Sequence, residues 1–347
     1  MPVTIVVGGQ FGSEGKGKVS LYVARSDPKV TTIIRVGGTN SGHTGYDSNG
    51  KRWQLRQMPA GCIDRNVDVV FPDGSYIDPD ILNREIGELR YPRERVHVSP
   101  RASVILPEHR RWEATADLMP NIGSTGSGTG GAVLATVARG AKNFPLRSVQ
   151  CEDCEPLSDL VRDPAPMLNR RLERKERVVI EGTQGFGLSL QEGGFWPKAT
   201  SRCTTAAGAL AEAGLAPGHV DDVILVIRTF PIRVAGDSGP LVGEISWKDV
   251  AEYGNSNADL REFTTVTRNL RRVGRFDPDL VRRAIVFNAP NRIVLNHVDY
   301  LGDKDVECLK VWQRFKEIER SIEKRIDLIG LTPFDLKKSP DLCDQLV

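Results

Sequence analysis

Short, nearly continuous apolar runs set the fold of this chain: VTIVV (3–7), TTIIRV (31–36), VDVVF (67–71), RVVIEG (177–182), DDVILVIRTF (221–230) and NRIVLNHV (291–298). Each is rich in β-branched residues and bounded by Gly, Pro, Asp or Asn, the pattern of strands buried on both faces. Helix-length stretches lie between several of them, such as DPDILNREIGELR (78–90) and DPDLVRRAIVFN (277–288). Phe315, Ile318, Ile322, Ile326 and Ile329 recur at helical spacing with charges between them, which predicts one long amphipathic C-terminal helix. Strands alternating with helices make an α/β fold with a large, mainly parallel sheet flanked by helices. Internal repeats, low-complexity tracts and linkers are missing from the sequence, so residues 1–347 are read as one domain.

With 347 residues the chain can bury a core without staples. A charged fraction of 27% and a formal net charge of +2 argue against function through bulk charge. No apolar run is long enough to span a bilayer, and MPVTIVVGG enters a strand without a basic leader, so the expectation is a cytoplasmic protein without membrane contact. The CEDC pair, Cys151 and Cys154, has half-zinc-site spacing, but no second CxxC or HxxxH completes it; ordinary thiols are expected.

The first strand runs into GGQFGSEGKGK (8–18). A Gly-rich turn from strand to helix points backbone N–H groups at an anion, and Lys16 and Lys18 add charge, so a nucleotide phosphate is expected here. The spacing is not that of GxxxxGK[ST]: Gly17 separates the lysines and no hydroxyl follows Lys18 in the required place. A second glycine cluster, IGSTGSGTGG (122–131), reads as a functional loop because structured sequence resumes on both sides.

QFGSEGKGK followed by VGGTNSGHTG resembles the adenylosuccinate synthetase family, and the resemblance continues in order through IGSTGSGTGG...VARG, IEGTQG, ATSRCTTAAG, FTTVTRNLRRVGRFD, LNHVDYLG and IDLIGLTPFDLKKSPD. It implies a homodimeric ligase that moves the γ-phosphoryl of a nucleoside triphosphate onto a purine 6-oxygen, after which the amine of L-aspartate displaces phosphate. The chemistry relies on positioning, Mg²⁺ and cations. The resemblance assigns the donor's phosphates to Gly12, Ser13, Glu14, Gly15, Lys16, Gly17, Lys18 and Thr44, and Mg²⁺ to Ser13 and the Gly42 carbonyl. His43 would sit beside the migrating phosphoryl and protonate the 6-oxygen, a role suited to a ring titrating near neutrality, in surroundings too small to bury it. Asn40, Ser124, Thr125 and Thr200 would hold the purine nucleotide's 5′-phosphate, with Arg139 reaching across from the second subunit, while Gln184 reads the base. Turn hydroxyls and a solvated arginine are the bland alternatives for these positions.

Arg268, Arg271, Arg272 and Arg275 could form a nucleic-acid stripe, but there is no basic excess elsewhere and no interleaved aromatics, so no nucleic-acid partner is expected. The resemblance makes this the aspartate loop, with Val266, Thr267 and Arg271 binding the amino acid. Asn269 and Leu270 replace the first two of the family's four arginines, which suits a sugar lacking its 2′-hydroxyl. A segment between about Leu301 and Glu317 is shorter than in full-length members.

Ser13 is the main departure. The family has an aspartate there, which takes the N1 proton of hypoxanthine and helps bind Mg²⁺; a serine hydroxyl is too weak an acid to do so. A short branch of the family, found mainly in bacteriophages with diaminopurine in their DNA, carries this serine and acts on dGMP. Ser13, Asn269 and the length point to that branch; an ordinary IMP enzyme and a nucleotide-dependent regulator without ligase activity are the alternatives. The donor's base would be read by Asn296, His297 and Asp299, with Ser339 and Pro340 in the tail loop. Branch members use ATP or dATP, so an adenine donor is expected, while Asp299 leaves GTP open.

Overall fold

The computed structural model describes residues 2–255, 259–264, 269–302 and 308–339. Among these, nine strands form one sheet in the spatial order Lys337–Lys338, Leu328–Ile329, Arg292–Asn296, Val220–Arg228, Val3–Gly8, Arg177–Glu181, Val30–Arg35, Asp68–Phe71 and Val96–Val98. All six apolar runs are strands of it. Neighbours are parallel throughout, except that the edge strand Lys337–Lys338 runs antiparallel to Leu328–Ile329. Side chains alternate between the faces, Ile5 and Val7 packing into one apolar layer and Val6 into the other.

The helices that cover the sheet follow from local chemistry. Asp78 caps the helix Pro79–Leu89 by accepting from Ile81 N at 3.2 Å, and Arg90 ends it in a left-handed conformation. Asp277 caps Pro278–Asn288 in the same way, accepting from Asp279 N and Leu280 N at 3.1 Å, and that helix buries Leu280, Val281, Ala284 and Ile285. The C-terminal periodicity is misleading. The helix Cys308–Ser321 carries Phe315 and Ile318, but Glu323 turns the chain with a φ of 56°, and Ile329 lies in a sheet strand. The apolar spacing continues because the strand also faces the core.

Cys151 is buried in a short 3₁₀ turn and Cys154 is half-buried beside it; among the described residues no cluster of His, Cys, Asp and Glu could hold a metal ion. No described helix is long and apolar enough to cross a membrane.

Parallel strands end on one edge, and loops leaving that edge are where α/β sheets bind ligands. Here adjacent strands end in Arg35, Glu181, Gly8, Arg228 and Asn296, with Arg35 in register with Glu181 and Arg228 with Asn296. Four of the five are polar side chains no more than 2% exposed. Burial of three charges and an amide at one edge requires partners, and the loops supply most of them.

Candidate active site

The glycine loop connects Val3–Gly8 to the helix Lys16–Ser26. No side chain caps this helix, so its first-turn N–H groups remain available to an anion. The loop braces itself through Glu14, whose Oε1 accepts from Gln10 N (3.1 Å) and Gly12 N (2.8 Å) and whose Oε2 takes Lys16 Nζ at 2.8 Å. Lys16 also donates to the Gln184 carbonyl. Gly15 has a φ of 93°, and a Cβ there would lie 2.6 Å from Asn296 Nδ2, which donates to Glu14 O at 2.8 Å. Glu14 is thus a loop brace. Lys18 departs further from expectation: its Nζ turns away to Thr332 O (2.6 Å) and Asn296 Oδ1 (3.2 Å), and burial brings it down to about 8 against the pull of Asp299 and Asp335.

On one side of the loop, a hairpin of His43–Tyr46 and Arg52–Leu55 carries His43 inward. The ring is 4% exposed, contrary to the expectation that its small neighbours could not bury it. Its Nδ1 lies 2.5 Å from Glu181 Oε1, and its Nε2 lies 3.1 Å from Arg35 Nη1. Burial and the Arg35 charge push His43 down to about 4 despite Glu181, so the ring is neutral at pH 7 and does not titrate near neutrality. Burial opposes ionisation of Glu181, but the His43 ring, Arg35 and the Ala60 N–H together hold its carboxyl below the ordinary value. An ionised Glu181 accepts, so Nδ1 carries the ring proton and Nε2 accepts from Arg35. Ala60 N and Gly61 N, each at 3.0 Å, fix the carboxylate itself.

On the other side, Ser13 has a φ of 57°. Its carbonyl accepts from Arg228 Nη1 at 3.1 Å and its hydroxyl from Arg271 Nη1. Both guanidinium groups reach the Glu262 carboxylate, at 3.3 Å from Arg228 Nη1 and 3.6 Å from Arg271 Nη1, and Tyr300 donates its hydroxyl to Glu262 at 3.1 Å. Burial would raise Glu262; Arg228, then His297 and Arg271, bring it down to about 2.

Three side-chain oxygens assigned to the purine nucleotide are buried without a partner among the described residues: Asn40 Oδ1, Thr125 Oγ1 and Gln184 Oε1. Buried polar atoms are costly unless a ligand or water completes them. Asn40 Nδ2 reaches Thr200 Oγ1 at 3.5 Å, so those two positions do meet. Ser124 Oγ accepts from Gly126 N at 3.2 Å and shapes the second glycine loop. Gly42 is exposed, Thr44 is half-buried in the hairpin strand, and Arg139 is exposed at the end of the helix Thr129–Ala138.

Among the donor-base residues, Asn296 anchors the phosphate loop. His297 is half-buried, its ring edge-on to Tyr300 at 5.0 Å, and burial with Arg228 lowers it to about 3. Burial raises Asp299 to about 6, opposed by a backbone N–H, Lys18 and Arg228. Ser339 is buried, its N–H on Asp327 O at 2.9 Å. Val266, Thr267, Arg268 and Pro340 lie outside the described residues. The sequence reading missed Arg35, Glu181, Arg228 and Glu262. The signal for the first three was a polar residue closing each apolar run; Glu262 had none.

A site of this kind, at the C-terminal edge of a parallel sheet behind an uncapped helix, belongs to the α/β enzymes that bind phosphate-bearing nucleotides. Comparison with known proteins narrows the class. A family model described as adenylosuccinate synthetase matches residues 5–145 and 147–329. The chain is 36% identical to the adenylosuccinate synthetase of Thermococcus onnurineus over 99% of its length and 97% of the relative's. Against the Methanocaldococcus jannaschii enzyme the values are 37%, 98% and 94%. Among solved structures, the succinoaminodeoxyadenylate synthetase of cyanophage S-2L, bound to dGMP and to dATP as an energy donor, superposes with a TM-score of 0.83 at 27% identity, covering 99% of this chain and 97% of that one. The fully ligated adenylosuccinate synthetase of Plasmodium falciparum shares the fold, with a TM-score of 0.81 at 20% identity over 96% of this chain and 98% of that one. This chain belongs to the adenylosuccinate synthetase family, carbon–nitrogen ligases that use a nucleoside triphosphate. Chain length does not separate the branches, since the archaeal relatives are matched over 94–99% of their own length.

Proposed function

We propose that the enzyme joins L-aspartate to the 6-position of a 2-aminopurine nucleotide, with dGMP as substrate and ATP or dATP as donor. The γ-phosphoryl passes to the purine 6-oxygen; the aspartate amine then attacks C6, and the C6–O bond breaks to release phosphate. The products are 2-amino-2′-deoxyadenylosuccinate, the nucleoside diphosphate and phosphate. The observation that carries the reading is Ser13, an uncharged hydroxyl facing Arg271 where the family resemblance calls for a carboxylate. A side chain this short leaves room for a 2-amino group, and its second lone pair can accept from that group. The unpaired Asn40, Thr125 and Gln184 oxygens support purine nucleotide binding on the loops around it.

Mg²⁺, when bound to the donor, neutralises phosphate charge. The donor set suits an ion held mainly by phosphate and water, with the exposed Gly42 carbonyl as a protein ligand. Ser13 does not fit that role in this arrangement, because a guanidinium lies against its Oγ. Lys16, the loop amides and the uncapped helix hold phosphates. His43, fixed as its Nδ1–H tautomer, accepts from Arg35 at Nε2 and so orients that cation; in this neutral state it has no Nε2 proton to give. Arg139 would act in the site of a second copy, on a helix whose Leu134 and Val137 are 41% and 68% exposed.

A second reading, IMP with GTP, is favoured by the higher identity to the archaeal adenylosuccinate synthetases. The test combines purified protein, Mg²⁺, L-aspartate, each of ATP, dATP and GTP, and each of dGMP, GMP and IMP, with products weighed by mass spectrometry. A succinyl adduct of dGMP but not of IMP is expected. An adduct of IMP alone overturns the reading.

A further inference from the structure

We propose that Glu262 is a positioning residue that couples the aspartate-binding arginine to the phosphate loop. The proposal rests on Arg271 as an aspartate ligand, and its test separates the two. Side chains from three segments meet at this one carboxylate. Arg228, from the end of a central strand, and Arg271 both reach it, and both also hold Ser13, one at the carbonyl and one at the hydroxyl. Tyr300, just past the donor-base segment, donates to it at 3.1 Å. The backbone closes the same link: Arg271 N donates to Glu262 O at 2.9 Å, and Trp247 Nε1 donates to Arg271 O at 2.7 Å.

The consequence is orientational. Arg271 commits Nη1 to Ser13 and Glu262, which leaves the other edge of the fork turned away from them. Its Nε is buried and has no partner among the described residues. A carboxylate binds a guanidinium best through two parallel N–H bonds in one plane, so the plane must be set before the ligand arrives. Glu262 sets it, and it also screens two guanidinium groups that repel each other across Ser13. Removal of the charge frees both arginines to rotate and loosens Ser13 with them.

The test is a steady-state comparison of Glu262→Gln, Tyr300→Phe and Arg271→Lys with wild type, using whichever purine nucleotide the wild type converts. For Glu262→Gln the KM for aspartate is expected to rise about tenfold or more, the size expected for losing a charged orienting contact, and the KM values for the nucleotides, which feel only the loosened Ser13, by no more than about threefold. Tyr300→Phe should raise the aspartate KM about threefold, keeping the proposal testable if Glu262→Gln folds poorly. An aspartate KM unchanged in Arg271→Lys overturns the underlying reading of Arg271. An aspartate KM that rises in Arg271→Lys but not in Glu262→Gln or Tyr300→Phe overturns the coupling, as does an equal rise in all three KM values.

Discussion

Glu181 and Glu262 flank the phosphate loop through the two strands that neighbour Val3–Gly8, and they are built differently. Glu181 is sealed in, and two of its partners are backbone N–H groups of Ala60 and Gly61 that cannot swing away. Glu262 is 19% exposed and is held by the ends of long side chains from three segments. The first arrangement balances its charges: one carboxylate, one guanidinium and a neutral imidazole. The second places two guanidinium groups on one carboxylate and retains positive charge. A fixed, balanced site suits the step in which phosphoryl moves beside His43. An adjustable, positive site suits capture of a dicarboxylate. Rigidity and charge are thus divided between two sides of one sheet edge.

The largest effect should come from breaking the rigid side. Glu181→Ala leaves two backbone donors and the His43 Nδ1–H buried without acceptors, and should cost on the order of 3–5 kcal/mol of stability and nearly all activity. Urea unfolding and single-turnover assays measure the two losses. A variant as stable as wild type would mean that the carboxylate is not the brace described.

The adjustable side should give a smaller, pH-dependent loss. Glu262 is held below its ordinary 4.5, at about 2, so it stabilises the fold above pH 4.5 and that contribution fades as pH falls through 4.5 toward 2. The gap between wild type and Glu262→Gln should be roughly 2–3 kcal/mol at pH 7 and should close toward pH 2. Urea titrations at both ends of this range check the sign. A gap that stays constant would remove the charge from the explanation.

Thr125→Ala should barely change stability, within about 0.5 kcal/mol, because its hydroxyl is already unpaired in the fold. The KM for the purine nucleotide should nonetheless rise about tenfold, by loss of a bond to phosphate. A thermal melt beside a saturation curve separates the two quantities.

The phosphate loop was legible from its glycine spacing, and His43, Asn40, Thr200 and Arg271 through the family resemblance; that Arg271 lies against Ser13 was not, because the two are far apart in sequence. The direction of Lys18 was not legible because it depends on Thr332 and Asn296, which only strand order brings near. His43 was expected to titrate near neutrality because its immediate neighbours are small; Glu181 and Arg35, from adjacent strands, bury it. Glu262 was invisible for the same reason: Arg228 and Tyr300 meet it only after the sheet has formed. The false C-terminal helix period shows the converse, since Phe315 and Ile329 face one core from two different elements.

The most direct test of the central claim is the ratio of kcat/KM for dGMP to that for IMP, measured side by side in wild type and Ser13→Asp. A ratio above one is expected in wild type, falling at least about tenfold in Ser13→Asp, where a carboxylate crowds the 2-amino group and pairs with Arg271. A wild type that prefers IMP, with a ratio unmoved by Ser13→Asp, would contradict that claim.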